Sequence, residues 1–371
     1  MIRNITIAVA ALLLSAAVAT QPSTSPSSSN PEVLLESCSV KVVGTWSHLL
    51  SPSPNSSTTT RVRQFKGIPY ASAPKGPLRF SPTVDQQCPV ASSSSSTLLG
   101  HAEAKKAKKA ITTFNATEFG NICIQPGDGP DGVMGDEDCL TLNIYVPEAL
   151  ELTATAPVLV YIHGGSLTGG SGIWEDLRFL AAFASGSDDV VSAQTSAVVV
   201  TINYRLGVLG FLAASSMCTG SALQAGQCGN FGIQDQVSAL RWVRKYISYF
   251  GGDRDRVNLM GQSSGGTSIF ALMGTPSAQG LFRSGVSLSG SPNITMGLTQ
   301  KVAQDASIVA SLNCTSEVDQ LACLRALDAH VVQAAMPNSW NTPALFTNWM
   351  LNNASFGGED YAGLAFVDGV T

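Results

Sequence analysis

In the second half of the chain, strand-like segments alternate with helix-like segments. Residues 158–162 and 198–202 are rich in Val and Ile, and each run is followed by Gly or polar turn residues, which is typical of buried strands. Apolar residues at helical spacing over residues 233–249 predict an amphipathic helix, and residues 257–260 predict a further short strand. This alternation predicts an α/β protein in which helices cover both faces of a mostly parallel sheet.

A glycine-flanked serine lies between the short strand at 257–260 and a helical stretch at 267–273. The sequence GQSSG at 261–265 fits the pattern GxSxG, in which a sharp strand-to-helix turn exposes the serine hydroxyl. At Gly261 and Gly265 a Cβ would collide with the neighbouring strand or helix. The pattern also occurs in ordinary glycine turns, but the strand before it and the helix after it favour a nucleophile at Ser263.

A second turn of catalytic type ends the predicted strand at 158–162. The sequence HGGS at 163–166 lies about 100 residues before Ser263, and such a turn supplies half of an oxyanion hole in α/β-hydrolases. The helix after Ser263 adds unpaired N–H groups and the positive end of its dipole. The two turns together predict a site that stabilises negative charge on a carbonyl oxygen.

Several further motifs are spread over the chain. They are FKGIPYA at 65–71, LRF at 78–80, EDCLTLN at 137–143, TINYRLGVLGF at 201–211, GNFGIQDQ at 229–236 and SGS at 289–291. With these motifs the chain resembles the type-B carboxylesterases, the family that also holds cholinesterases and a group of fungal lipases. The resemblance runs from about residue 65 to the end and implies the α/β-hydrolase fold.

The resemblance also implies a mechanism. Ser263 would be the nucleophile of an acyl-enzyme reaction, and the backbone N–H groups of Gly165, Ser166 and Ser264 would be the oxyanion donors, each contributing ~3 kcal/mol when well aimed. Two positions depart from the family pattern. Ser166 replaces a glycine that is usual there, which narrows the expected pocket for bulky or tertiary alcohol esters. Gln262 replaces a glutamate that many relatives carry, which removes a negative charge beside the nucleophile.

The chain has eight cysteines, an even number without paired CxxC motifs or interleaved histidines, so disulfides are expected rather than metal ligands. The resemblance implies that Cys123 pairs with Cys139 and Cys314 with Cys323. Sequence does not fix the pairing of the other four, of which Cys218 with Cys228 is a plausible local bridge and Cys38 with Cys88 completes the set.

The loop at 123–139 bears on the substrate. In relatives this loop covers the active-site gorge, with a lid in lipases and a cation-binding tryptophan in cholinesterases. Here it contains neither an aromatic residue nor an amphipathic helix. We therefore expect neither a cholinesterase nor an interfacial lipase, but an esterase for small or medium ester substrates, with no metal or organic cofactor.

A general base for the serine is not found in the sequence. In α/β-hydrolases the chain order is Ser, acid, His, and His330 is the only histidine after Ser263. His330 lies in a predicted helix beside a cysteine pair, where a structural role is favoured. Of the earlier histidines, His163 belongs to the oxyanion turn, and His48 and His101 lie in the variable N-terminal part.

The segment FVDG at 366–369 resembles a family segment that precedes the catalytic acid by some tens of residues. The resemblance implies that the C-terminal part of the fold, with acid and base, is missing from this chain. A non-catalytic binding or adhesion protein, or an inactive fragment, is therefore the alternative to a secreted ester hydrolase.

The N-terminus predicts secretion. Residues 1–19 combine an early Arg, an apolar run of 15 residues and a small-x-small ending, which favours a cleaved signal peptide over an anchor. Residues 20–34 are predicted to be disordered, and residues 35–371 to form the carboxylesterase domain. After residue 19, five Asn-x-Ser/Thr sequences agree with a secretory route; they begin at Asn55, Asn115, Asn293, Asn313 and Asn353.

Charge and hydropathy exclude other classes. Lys and Arg total 21 against 26 Asp and Glu, so the general basic excess that nucleic-acid binding requires is absent. After the N-terminal run no stretch of 18 apolar residues occurs, so no membrane span is predicted. Residues 102–110 predict an exposed, solvated helix rather than a binding patch. The oligomeric state is left open by the sequence.

Overall fold

The computed structural model describes residues 29–50, 59–89, 110–129, 131–183, 196–292, 294, 296–316, 320–337, 340 and 365–368. Several sequence predictions fall outside these residues: the signal peptide at 1–19, most of the helix at 102–110, and the glycosylation positions Asn55, Asn293 and Asn353. Asn115 and Asn313 are described, and both are exposed.

Twelve strands are present in the described residues. They are β1 Glu32–Leu35, β2 Val40–Val43, β3 Thr45–Leu50, β4 Thr59–Pro69, β5 Thr112–Asn115, β6 Gln125–Pro126, β7 Val133–Met134, β8 Thr141–Pro147, β9 Ala156–Ile162, β10 Val198–Ile202, β11 Gly252–Gln262 and β12 Ser284–Leu288. Seven of them form the central sheet in the order β12-β11-β9-β10-β8-β4-β3.

The central sheet has a parallel half and an antiparallel half. Strands β12, β11, β9 and β10 run parallel to one another, whereas β10-β8, β8-β4 and β4-β3 are antiparallel pairs. The parallel half holds the strands that were recognised in the sequence, because parallel strands buried on both faces give continuous apolar runs. β10 matches the predicted strand at 198–202, and β9 begins two residues before the predicted 158.

The strand that leads to the serine turn is longer than its sequence suggested. β11 covers 11 residues, whereas only 257–260 was predicted. Gly252 pairs with Ala156, and the register shifts before Val257, so the polar residues between them interrupt the apolar pattern without ending the strand.

Eight α-helices are found in the described part of the chain. They are α1 Arg178–Phe183, α2 Gly207–Phe211, α3 Gly220–Gln224, α4 Phe231–Tyr246, α5 Ser264–Gly274, α6 Leu298–Ser311, α7 Gln320–Ala326 and α8 Ala329–Ala334. The predicted helix at 233–249 is confirmed as α4, which continues as a 3-10 turn over Ile247–Phe250 and ends at Gly251 with φ 81°. The predicted helix at 267–273 is part of α5.

Helices pack on both faces of the sheet. On one face Tyr145 and Val199 form a small apolar cluster with Ala181 of α1. On the other face a large core contains Val200 of β10 together with the buried sides of α4 and α5. The predicted two-sided α/β architecture is therefore confirmed.

A second, small sheet lies near the N-terminal end of the described chain. It has the order β1-β2-β5, in which β1 pairs antiparallel with β2 and β2 pairs parallel with β5. β1 begins at Glu32, so the last three residues of the segment 20–34, which was predicted to be disordered, belong to a strand. In β1 only Val33 and Leu35 are buried, and they alternate with exposed residues. Two buried residues give too short a pattern to recognise as a strand beside a Ser/Pro-rich tract.

All eight cysteines form disulfides. The bonded pairs are Cys38–Cys88, Cys123–Cys139, Cys218–Cys228 and Cys314–Cys323. Both pairs implied by the resemblance and both pairs left open by the sequence are therefore present as expected.

Candidate active site

Ser263 lies at the turn between β11 and α5. Its backbone has φ 54° and ψ −123°, a conformation that costs about 1–3 kcal/mol for a residue with a side chain. Its N–H donates to the carbonyl of Leu288 at 2.7 Å, and its own carbonyl accepts from Thr267 at 3.0 Å. These bonds to β12 and to the first turn of α5 hold the strained turn, and the residue is left partly exposed.

The two glycines beside Ser263 have no room for a side chain. A Cβ on Gly261 would lie 2.4 Å from the carbonyl carbon and oxygen of Gly265. A Cβ on Gly265 would lie 2.1 Å from the carbonyl oxygen of Ile162, the last residue of β9. The steric need for glycine that was expected from the sequence is present at both positions.

The HGGS turn lies directly against the serine turn. A Cβ on Gly164 would be 2.7 Å from the carbonyl oxygen of Gln262 and 3.1 Å from the Cβ of Ser263. The next three residues have positive φ angles: 110° at Gly165, 59° at Ser166 and 61° at Leu167. The structure thus brings together Ser263 and the segment that carries two of the three expected oxyanion donors.

The N–H groups of this turn are available to a ligand. The carbonyl of Gly165 accepts from Thr168 at 3.0 Å, which closes the loop. Within the described residues, no protein acceptor receives the N–H of Gly165 or of Ser166. Ser264 is the first residue of α5, where N–H groups have no partner inside the helix. These three N–H groups are therefore candidates for binding an oxyanion.

The buried side chain of His163 supports the HGGS turn. Its ring is 2% exposed, its Nδ1 donates to the Gly164 carbonyl at 2.8 Å, and it stacks on Tyr204 with the ring centroids 4.3 Å apart. Burial lowers the pKa of His163 to about 4, although the Gly164 carbonyl acts in the opposite direction. The ring is therefore neutral near pH 7, which suits the structural role expected for it.

Three polar side chains that the sequence did not single out connect the turns. Tyr204, after β10, donates its hydroxyl hydrogen to the carbonyl of His163 at 2.8 Å. The hydroxyl of Ser264 accepts from the N–H of Leu167 at 3.1 Å. The amide of Gln125 both accepts from the N–H of Gly170 at 2.7 Å and donates to its carbonyl at 3.0 Å. The motifs at 201–211 and 261–265 contain Tyr204 and Ser264, but only the fold shows which backbone groups their side chains bond.

Among the described histidines, none forms a hydrogen bond with Ser263. The Nε2 of His330 lies 3.1 Å from the carbonyl of Gly135, and its backbone N–H bonds Asp328 at 2.8 Å. His48 is exposed on β3, the outermost strand at the opposite edge from β12, and His101 lies outside the described residues. His330 is thus attached to the loop at 123–139, as a structural residue would be.

A cavity of about 410 Å³ lies along α5 but does not include Ser263 among its lining residues. Its wall combines Phe270 and Thr275 with Ile294 and Phe366. The described residues contain no cluster of three or more potential metal ligands, and no helix among them could span a membrane.

The sheet order, the strained serine turn at the end of a parallel strand and the adjoining glycine turn define an α/β-hydrolase fold. Solved structures agree: a thermophilic PNB esterase superposes with a TM-score of 0.60 at 30% identity, covering 83% of this chain and 53% of that one. Juvenile hormone esterase from Manduca sexta, with OTFP covalently attached, gives a TM-score of 0.62 at 25% identity, covering 82% and 50%.

Sequence comparison gives the family. Residues 99–352 match the carboxylesterase family, to which this chain belongs. Over 278 residues it is 36% identical to a cocaine esterase of Oryctolagus cuniculus, covering 73% of this chain and 46% of the relative. Over 277 residues it is 35% identical to para-nitrobenzyl esterase of Bacillus subtilis (strain 168), covering 73% and 49%. The chain spans just under half the length of these two relatives.

Proposed function

We propose that this protein is a secreted carboxylic-ester hydrolase in which Ser263 attacks the ester carbonyl. The observation that carries the proposal is the strained Ser263 turn, held against a glycine turn whose N–H groups have no acceptor in the described chain. The N–H groups of Gly165, Ser166 and Ser264 bind the developing oxyanion. Collapse of the tetrahedral intermediate releases the alcohol, and water then hydrolyses the acyl-serine.

The proton of Ser263 requires an acceptor. Because no described histidine forms a hydrogen bond with this serine, the acceptor is either solvent or a group outside the described residues. With solvent as the acceptor, the oxyanion donors and substrate binding alone supply a rate of ~10³–10⁴ over water. The labelling test therefore uses a phosphonylating probe, which forms a stable adduct with Ser263 where this serine is nucleophilic.

Small and medium esters are the proposed substrates. The loop at 123–139 carries no aromatic residue for a quaternary ammonium group, and its described residues include the hairpin of β6 and β7. Gln125 ties this loop to Gly170, next to the HGGS turn. A relative bears the name cocaine esterase and another para-nitrobenzyl esterase, so esters of moderate size are suitable first substrates.

Secretion is part of the proposal. Four disulfides favour an oxidising compartment, and Asn115 and Asn313, which begin two of the glycosylation sequences, are exposed. The predicted signal peptide at 1–19 agrees with this route.

The alternative is a non-catalytic binding protein of the same family. It is favoured by one observation, the lack of a hydrogen bond between Ser263 and a described histidine. In such a protein the Ser263 turn would serve only to pack α5 against the sheet.

Covalent labelling distinguishes the two. The secreted protein is incubated with a fluorophosphonate probe beside two variants, Ser263→Ala and Ser307→Ala. Ser307 lies exposed on α6 and serves as the matched control. We expect labelling of the wild type and of Ser307→Ala, loss of labelling in Ser263→Ala, and an adduct on the peptide that contains residue 263. A folded wild-type protein that takes up no probe overturns the enzymatic proposal and supports the alternative.

A further inference from the structure

The hydroxyl of Ser264 lies between the two turns that make up the proposed oxyanion site. Its oxygen accepts the N–H of Leu167 at 3.1 Å, so a side chain on α5 bonds the backbone of the loop that follows β9. The bond links residues 97 positions apart in the chain. The same residue thus offers its backbone N–H to the substrate and its side chain to the loop that carries the other donors.

The loop bonded in this way is strained. Ser166 and Leu167 are consecutive residues with side chains, and both have the left-handed backbone, which costs roughly 1–2 kcal/mol per residue. Such a conformation persists only where surrounding contacts hold it. The carbonyl of Leu167 accepts from Gly207 at 2.8 Å and its N–H donates to Ser264, so both polar groups of its peptide backbone are held by other segments.

The other end of the HGGS turn is held by a second side chain. Tyr204 has one hydroxyl hydrogen, which it donates to the carbonyl of His163 at 2.8 Å. Burial raises the pKa of Tyr204, so the phenol stays protonated and keeps this hydrogen. The Tyr204–His163 bond therefore holds the turn where it begins, and the Leu167–Ser264 bond holds it where it ends.

We propose that the Ser264 hydroxyl is a positioning residue that fixes the HGGS turn so that the N–H groups of Gly165 and Ser166 face the oxyanion. The inference rests on the proposed function and adds a role for a side chain, since an alanine at 264 would keep the backbone donor and lose only the connection to Leu167. The loop would then relax from its left-handed conformation, and the two donors would move away from the reacting carbonyl.

Amide hydrogen exchange tests whether the Ser264 hydroxyl fixes the HGGS turn, and it does not require the protein to be catalytically active. Wild type, Ser264→Ala and Ser264→Thr are compared, with Ser268→Ala as the matched control. Ser268 is a buried hydroxyl one turn further along α5 that accepts from Gln236 at 3.1 Å and does not face the loop. We expect the Leu167 amide to exchange about tenfold faster in Ser264→Ala, as loss of one hydrogen bond implies. Ser264→Thr keeps the hydroxyl and should stay near the wild-type rate, as should Ser268→Ala.

The kinetics of fluorophosphonate labelling test whether fixing the turn also affects the reaction at Ser263. In Ser264→Ala we expect the limiting rate of labelling to fall about tenfold, less than the ~10²–10³-fold loss that removal of a whole donor causes. The probe concentration for half-maximal rate should stay unchanged, because the substrate pocket is intact. Ser264→Thr should restore the rate.

Each outcome has a distinct meaning. Unchanged Leu167 exchange in Ser264→Ala overturns the inference. Faster exchange with an unchanged labelling rate also overturns it, because the connection would then be structural only. A wild-type protein that is folded but unlabelled overturns the proposed function, while the exchange rates still decide whether Ser264 fixes the turn.

Discussion

Gly265 packs so closely on Ile162 that a Cβ added to the glycine would lie 2.1 Å from the carbonyl oxygen of the isoleucine. This contact joins the first turn of α5 to the end of β9, which are just over a hundred residues apart in the sequence. The backbone of residue 265 fixes the position of the Cβ, and the Ile162 oxygen belongs to the backbone. Neither atom can therefore move aside by a change of rotamer. The serine turn and the HGGS turn therefore have a fixed separation.

This contact predicts the effect of Gly265→Ala. The added methyl group forces α5 away from β9, which we expect to lower the free energy of unfolding by about 1–3 kcal/mol, as overpacking of a tight core does. The displacement also separates Ser263 from its oxyanion donors, so labelling by a fluorophosphonate should be lost. Urea denaturation and labelling of the folded variant measure the two effects.

Gly274→Ala is the control for that substitution. It lies at the other end of the same helix, where a Cβ would meet nothing within 4 Å. We expect it to stabilise the protein by roughly 0.4–1 kcal/mol through the unfolded chain and to leave labelling unchanged. Equal stability of the two alanine variants would contradict the packing described here.

The buried ring of His163 predicts a pH dependence of stability. Its pKa is about 4 in the folded protein, whereas an unfolded histidine titrates near 6.5. Between these values the unfolded state binds the proton and the folded state does not, so stability is full above pH 6.5 and is lost as the pH falls towards 4. The difference corresponds to about 3 kcal/mol.

Urea denaturation at pH 7 and pH 4.5 tests this dependence in the wild type and in His163→Asn. The asparagine amide can still donate to the Gly164 carbonyl but does not titrate. We expect the wild type to lose about 2–3 kcal/mol more than the variant between the two pH values. Parallel loss in both proteins would show that His163 is not the group responsible.

The parts of this fold that could be predicted from sequence are those with a local signature. β10 and α4 were recognised because continuous β-branched residues and apolar residues at helical spacing depend only on neighbouring positions. β11 was predicted too short because residues 253–256 are polar and lie at the register shift between Gly252 and Val257, which interrupts the apolar run. β1 was missed because two buried residues form no recognisable period.

The same distinction applies to the site. Ser263 and the glycines around it were identified because a sharp turn imposes its requirements on adjacent residues. Tyr204 and Gln125 were not identified, because their roles depend on which segments the sheet order brings together. Hydrogen bonds between distant segments have no signature in a single sequence.

Ser166 predicts a specificity effect that follows from the proposed function. Its side chain projects from a turn where a glycine would leave more space, and the residue has φ 59°, which glycine adopts without strain. We expect Ser166→Gly to raise kcat/KM for tertiary alcohol esters about tenfold relative to the matching primary esters, in the range that one small group at a pocket wall produces. An unchanged ratio of the two rates would show that Ser166 does not limit the alcohol pocket.

Lys301 and Asp305 form an ion pair that is fully buried in α6, with 2.8 Å between Nζ and Oδ1. The ammonium group also lies 4.4 Å from the ring centroid of Trp340, and the carboxylate accepts from the backbone of Ala213 at 2.7 Å. Burial lowers the pKa of Lys301 and raises that of Asp305, and each partner opposes the shift of the other. Each charge is therefore tolerated because its partner is present.

Lys301→Met should accordingly cost ~3–5 kcal/mol of unfolding free energy at pH 7, because it leaves a buried carboxylate without a cation. The double variant Lys301→Met, Asp305→Asn should recover at least half of that loss, since the asparagine still accepts from Ala213 without a charge.

The loss of unfolding free energy in the single variant Lys301→Met should also be smaller at pH 5 than at pH 7. The raised pKa of Asp305 lets the folded state bind a proton there before the unfolded state does, so falling pH favours the folded single variant. Urea denaturation of the wild type, the single variant and the double variant at both pH values measures these free energies of unfolding. If the single and double variants are equally destabilised and equally insensitive to pH, the cost arises from lost packing and not from the unpaired charge.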